Sequence, residues 1–315
     1  MHRIAWPGYQ CSFNPCSKTY KMKIKQIDSN VHELNYSDFD NPSQTGEIKL
    51  ACLSDLHLDN PKCDQQLLKR HLDYCKENMI PIFLNGDTLC IMQGKWDPRG
   101  SKKDIRPEHQ NVDYFGAIVR TTVEFLKPYA HLITVIGYGN HETSVLKRHE
   151  IDLLKMIVES LNQKTGSNIQ LGGYGGWIIL RGFRQSFKIR YHHGSGGGGI
   201  VTKGNINLTR ALEMYEGFDI FTMGHVHENL CRNDNRNILV KKGANMVNIN
   251  KQLHMMITGT YKEEYGKGEH GWHIERGAPP KHIGGRILTI KCATRTIEGK
   301  TELHHVIDSN LFPVV

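Results

Sequence analysis

The stretch Ile48-Lys49-Leu50-Ala51-Cys52-Leu53-Ser54-Asp55-Leu56-His57 runs from an apolar segment straight into a carboxylate and an imidazole. Its first six residues have the length and apolar content of a buried strand. A core does not accept Asp55 unpaired, because an ionised carboxylate taken out of water is very costly. The pattern recurs. Pro81-Ile82-Phe83-Leu84 ends at Asn85-Gly86-Asp87, and Leu132-Ile133-Thr134-Val135-Ile136 feeds Gly139-Asn140-His141-Glu142. Later, Phe187-Lys188-Ile189-Arg190-Tyr191 ends at His192-His193-Gly194, and Phe218-Asp219-Ile220-Phe221-Thr222-Met223 ends at Gly224-His225-Val226-His227. Each of these strands finishes at a residue able to hold a metal.

Between the strands lie segments of helical periodicity at about residues 64–78, 112–126, 151–161 and 208–215. Strands alternating with helices at this interval indicate an α/β fold built on a largely parallel sheet. In such sheets ligands bind beyond the carboxyl ends of the strands, where the early motifs fall. The second half is richer in strands, with further candidates at Trp177-Ile178-Ile179-Leu180, Ile238-Leu239-Val240, 253–260, 286–292 and His304-His305-Val306-Ile307.

Taken singly, each motif has an ordinary explanation. Asp55 or Asp87 reads as a helix N-cap, His57, His225 or His227 as a satisfied core histidine, and Asn140 after Gly139 as a turn. The other histidines, including His71, His131, His254 and His282, keep that ordinary reading. Together, in order and at strand ends, the residues supply carboxylate, amide oxygen and imidazole, the mixture that suits clustered hard or first-row divalent ions. No thiolate belongs to the series, which disfavours a structural zinc site.

This ordered series, spanning residues 47 to 230, resembles the calcineurin-like metallophosphoesterases. The resemblance implies a four-layer α/β/β/α sandwich, two mixed sheets flanked by helices. It implies two divalent metal ions, Mn2+ first and Fe, Zn or Ni as alternatives. Asp55, His57 and His227 would serve one ion, Asn140, His193 and His225 the other, and Asp87 would bridge both. The attacking group would be a metal-bound hydroxide. His141 would protonate the leaving oxygen or steady the transition state, with Glu142 orienting it. Of the pair His192 and His193, alternation along a strand allows one to face a metal, and the family pattern of a ligand just before a glycine favours His193. The family often carries Asp or His three positions after the bridging Asp; here that position is Cys90.

The chain of 315 residues holds 38% hydrophobic and 23% charged residues, enough to bury a core. Residues 1–46 are polar and turn-rich and read as a partly irregular N-terminal extension, with 47–315 as a single domain. The stretch before Met22 lacks periodicity, consistent with a tail or with translation starting at Met22. No apolar run reaches the roughly 18 residues of a membrane helix, and no h-region indicates secretion. Eight cysteines without CxxC pairing suggest reduced thiols and a cytoplasmic protein.

A formal net charge of +8 suits a phosphorylated substrate and admits a nucleic acid. The segment Gly94-Lys95-Trp96-Asp97-Pro98-Arg99-Gly100-Ser101-Lys102-Lys103-Asp104-Ile105-Arg106 holds five basic residues and one Trp. It reads either as a solvated loop or as a grip for a phosphate chain with a stacking surface. The run Gly194-Ser195-Gly196-Gly197-Gly198-Gly199 reads either as a phosphate contact or as a mobile loop, and 261–282 as a further rim loop. The expected function is hydrolysis of phosphoesters, leaning to phosphodiester or nucleic-acid substrates in the manner of a phosphodiesterase or nuclease. A phosphomonoesterase or phosphoprotein phosphatase is the alternative within the class, and a catalytically silent binding or scaffold protein the alternative outside it. The oligomeric state is left open.

Overall fold

The computed structural model describes residues 23–36, 46–91, 105–266, 272–275, 277–297 and 300–313. Along the chain these form β1 (Lys23–Asp28), β2 (Val31–Asn35), β3 (Gly46–Leu53), α1 (Gln65–Glu77), β4 (Ile82–Asn85), α2 (Tyr114–Leu126), β5 (Ile133–Gly137), α3 (Asn140–His149), α4 (Leu153–Thr165) and β6 (Gln170–Leu171). There follow β7 (Gly175–Gly182), β8 (Gln185–His192), α5 (Asn205–Met214), β9 (Ile220–Met223), β10 (Asn229–Lys242), β11 (Asn245–Thr258), α6 (Trp272–Glu275), β12 (Arg286–Ile297) and β13 (Lys300–Leu311).

Two mixed sheets carry the fold. One has the order β13-β12-β3-β4-β5-β6, the other β1-β2-β7-β8-β9-β11-β10. In the first, β3, β4 and β5 run parallel, and β12 joins β3 antiparallel. In the second, β8 and β9 run parallel.

The period of two along each strand sends alternate side chains to opposite faces, and three apolar cores result. Leu53, Ile82 and Ile136 meet α1, α2 and α4 through Leu68, Leu72, Ile118, Val123, Leu154 and Ile157. Leu50, Cys52, Phe83 and Val135 meet Leu34, Ile178, Leu180, Ile189, Ile220 and Met256 between the sheets. Leu208 and Ala211 of α5 cover Phe221, Met223, Met255 and Ile257. Helix, sheet, sheet and helix are therefore stacked as four layers, as expected.

The boundary expected at residue 47 needs correction. β2 pairs parallel with β7, and Leu34 is fully buried between the sheets. Residues 23–35 thus belong to the second sheet rather than to an extension. Composition concealed this because Glu33, nearly buried, is paired with Lys25 and Arg181, so a sheet strand reads as polar. Residues 1–22 lie outside the described part. α3 was not expected as a helix, and β10 and β11 form a hairpin far longer than the apolar triplet Ile238-Leu239-Val240 suggested.

Candidate metal centre

The carboxyl ends of β3, β4 and β5 in one sheet and of β8 and β9 in the other open onto the same rim. Asp55 and His57 follow β3, Asp87 follows β4, Asn140 and His141 open α3 after β5, His193 follows β8, and His225 and His227 follow β9. Five of these residues, Asp55, His57, Asp87, His225 and His227, have left-handed backbone, with φ of 53°, 47°, 47°, 68° and 56°. Each such non-glycine position costs roughly 1–3 kcal/mol and persists only where its surroundings over-determine it. The clustering of this strain on the expected ligands is itself a functional signal.

Their side chains converge. Asp55, His57 and His227 form one group of potential ligand atoms, and Asp87, His193 and His225 another. His57 Nε2 lies 3.3 Å from His227 Nε2, whose ring also comes within 3.2 Å of Asp55 Oδ1. Asn140 Oδ1 lies 2.7 Å from His225 Nδ1 and 3.3 Å from His193 Nε2. His193 Nε2 is 3.2 Å from Asp87 Oδ2.

These distances test whether the residues suit cations. His193 Nδ1 is 2.8 Å from the Asn85 carbonyl. A carbonyl only accepts, so Nδ1 carries the proton and, in the neutral ring, Nε2 turns a lone pair toward the oxygens of Asp87 and Asn140. That arrangement calls for a positive charge in the gap, a proton or a metal ion. Asp55 Oδ1 is buried and accepts no hydrogen bond among the described residues, and two histidine nitrogens face each other across 3.3 Å. The donor set fits divalent ions.

The electrostatics agree. Burial acts to lower His193, but the Asp87 carboxylate outweighs it and lifts the ring to about 10. Burial acts to raise Asp87, yet His193 and His141 hold its carboxyl well below the usual range. Burial, with His141 nearby, keeps His57 well below its ordinary value, and burial with His193 does the same for His225 more mildly. A metal requires neutral imidazoles and an ionised carboxylate: His57, His225 and Asp87 already have those forms, whereas His193 would have to give up its proton to the incoming ion.

Backbone and second partners hold the cluster in place. Glycine precedes ligands because there is no room for a side chain: a Cβ on Gly139 would lie 2.0 Å from Asp87 Oδ1, and one on Gly224 would lie 2.4 Å from Asp55 Oδ2. The N–H of His225 donates to Asp55 Oδ2 at 2.9 Å, and that of His141 to Asp87 Oδ1 at 3.0 Å. Glu142, expected to orient His141, accepts from the backbone N–H groups of Asp87, Leu89 and Gly139 at 3.2, 2.9 and 2.9 Å. It ties the turn after β4 to the start of α3. Burial, with the Asp87 charge adding to it, pushes its carboxyl up to about 8.

No protein-family model matches the chain, and no curated protein matches it. Similar chains exist among solved structures. Vacuolar protein sorting 29 from Cryptosporidium parvum is 13% identical with a TM-score of 0.32, covering 84% of this chain and 99% of its own. The calcineurin-like phosphoesterase YfkN from Bacillus subtilis is 12% identical with a TM-score of 0.35, covering 84% and 91%. GAP50, the anchor in the inner membrane complex of Plasmodium, is 12% identical with a TM-score of 0.26, covering 82% and 88%. Overlap at that level carries no argument about chemistry, which rests on the cluster geometry.

Of the residues expected at the site, all seven expected ligands come together, with His141 beside them. His141 Nε2 lies 3.8 Å from Asp87 Oδ2, and its Nδ1 faces the Cys90 carbonyl. His192 instead turns toward Tyr174, with Nδ1 accepting the Gly194 N–H at 3.0 Å. Arg106, the last basic residue of the 94–106 segment, binds the Leu58 and Cys63 carbonyls; residues 92–104 lie outside the described part. Sequence reasoning passed over two supports. Asp59 accepts from the backbone of Cys90 and Ile91, and Thr260 and Tyr261 donate to the Asp55 carbonyl at 2.9 and 3.0 Å. Asp59 had a signal, since it continues the alternation Asp55-Leu56-His57-Leu58-Asp59; the 260–261 contact had none.

Proposed function

We propose that the chain is a calcineurin-like metallophosphoesterase, hydrolysing phosphoesters at a centre of two divalent ions, Mn2+ first among them. The observation that carries this reading is the pair of adjacent donor clusters, with His193 Nε2 aimed at Asp87 Oδ2 and Asn140 Oδ1 across 3.2 and 3.3 Å. When bound, two such ions polarise phosphoryl oxygens and acidify water from about 15.7 to near 7.

The chain's own residues supply the rest. Asp87 and Asp55 would supply the negative charge that holds the ions, while the neutral Asn140 oxygen would hold one without adding charge against an anionic substrate. Asp87, with two carboxylate oxygens at the junction of the clusters, would help to hold both ions. His141 keeps its Nδ1 proton on the Cys90 carbonyl, which leaves Nε2 as the exchangeable position. From there it delivers a proton to the departing alkoxide, a step that suits an imidazole near neutral pH.

The preferred substrates are phosphodiesters, with nucleic acid as the partner class, supported by the net charge of +8 and the basic, Trp-bearing segment after Asp87. The free thiols of Cys52, Cys63, Cys75, Cys90, Cys231 and Cys292 accord with action in the reducing cytoplasm. Among the described residues no helix is long and apolar enough to cross a membrane.

The test is turnover of bis-p-nitrophenyl phosphate beside p-nitrophenyl phosphate by Mn2+-loaded protein. Diester turnover is expected to dominate; exclusive monoester turnover overturns the substrate preference. Absence of both, with less than one metal equivalent bound, overturns the enzyme.

A further inference from the structure

A third set of donors adjoins the two clusters. The Cys90 sulfur and one ring nitrogen each of His57 and His141 all lie within 4.8 Å of one another. The set differs in chemistry from its neighbours, since it contains a thiol and no carboxylate. Thiolate with imidazole selects soft, thiophilic cations, whereas carboxylate, amide and imidazole suit harder ones.

Each donor is held. Asp59 fixes the backbone of Cys90 and Ile91 by accepting their N–H groups, and the Asn60 amide donates to Cys90 Sγ at 3.3 Å. The rings of His57 and His141 meet edge to face at 4.9 Å. His57 Nε2 faces His227 at 3.3 Å, and its Nδ1 is buried and hydrogen-bonds nothing among the described residues; the residue is 1% exposed.

We propose that Cys90, His57 and His141 form a binding site for a thiophilic divalent cation such as Zn2+ or Cd2+, whose occupancy shuts off the neighbouring centre. On binding, a metal–sulfur bond forms as the S–H bond breaks, and the proton leaves to solvent. The same cation engages His57, a member of the first cluster, and His141, the proton donor. Occupancy therefore competes with the resident ions and stops proton delivery. This rests on reading the adjacent clusters as a hydrolytic metal centre.

Cobalt tests it without reliance on turnover. The full-length chain and its Cys90→Ser and Cys90→Ala variants are titrated with Co2+ under anaerobic conditions. A near-ultraviolet sulfur-to-cobalt band is expected in the wild type and absent from both variants, while calorimetry shows cobalt still bound at the other clusters. Cadmium is expected to bind about tenfold or more tightly to wild type than to Cys90→Ser. Cadmium-113 NMR on the wild type, which needs no variant to fold, is expected to show a resonance shifted downfield by sulfur. Cobalt bound without the band, an undiminished band in both variants, or no such NMR resonance overturns this site alone. Failure of the wild type to bind cobalt at all overturns the metal centre with it.

Discussion

At the residue scale the decisive feature is a set of side chains whose lone pairs face one another and need a proton or a metal ion among them. Asp87→Asn removes the charge that lifts His193 and is expected to abolish metal-dependent turnover, with Mn2+ affinity in calorimetry falling alongside. His141→Ala is different. It is expected to retain metal and slow turnover by about 10²–10⁴-fold, the usual range for a lost general acid; loss of metal by this variant would show that His141 ligates instead. Because His193 rises to about 10 beside Asp87, the metal-free site holds a proton at neutral pH, which a metal must displace. Adding Mn2+ to unbuffered protein at pH 7.5 is expected to acidify the solution, and a pH electrode that records no change would contradict the arrangement.

At the element scale the strands stop where the chemistry begins, and the first turns that follow are held by hydrogen bonds to backbone. α3 shows how. Its opening carries Asn140 and His141, and Glu142 at its third position accepts three backbone N–H groups from two segments. Glu142→Ala is expected to loosen Asp87 and lower Mn2+ affinity about 10–100-fold, as measured by calorimetry, the scale seen when an outer partner of a metal ligand is removed. α1 offers a contrast, because its capping side chain touches no candidate ligand. Asp64 caps it by accepting the Leu67 N–H at 2.9 Å, and Asp64→Ala is expected to cost about 1 kcal/mol in urea unfolding with metal affinity unchanged. Helices with an apolar stripe, such as α1, α2 and α4, were visible from periodicity. α3 was not, because its sequence Asn140–His149 is polar and only Glu142 and Val145 of it are buried.

At the scale of the whole molecule, two buried histidines far along the chain from one another link acid stability to packing. Burial lowers His71 and His254 to about 4, below the ordinary 6.5. His71 stacks on Phe312 and meets the Tyr261 hydroxyl, while His254 joins Asn233 to Ser309. Below pH 6.5 the unfolded chain takes up protons that the folded chain refuses, so folding free energy is fully present above 6.5 and falls as pH drops toward 4. The loss between pH 7 and pH 5 is about 2 kcal/mol for each histidine. Urea unfolding at the two pH values reads it, and the drop is expected to shrink in His254→Gln; an equal drop in that variant would remove His254 from the account.

The sequence by itself determined most of the alternation of strands and helices and which side chains offer donor atoms, because apolar runs and donor residues are properties of composition and order; the four layers were implied only by the family resemblance those motifs carry. Asp55, Asp87 and His225 each announced themselves by following an apolar run. Only the tertiary structure decided that β1 and β2 join the second sheet, that His193 and not His192 turns inward, and that Glu142 supports backbone instead of a ring. It alone brought Cys90 beside His57 and set the 260–261 backbone against Asp55. The physical reason is distance along the chain: these choices depend on groups from remote segments meeting in a buried space, where a polar strand can be paired, a ring aimed and a left-handed turn held, and no local pattern records those partners.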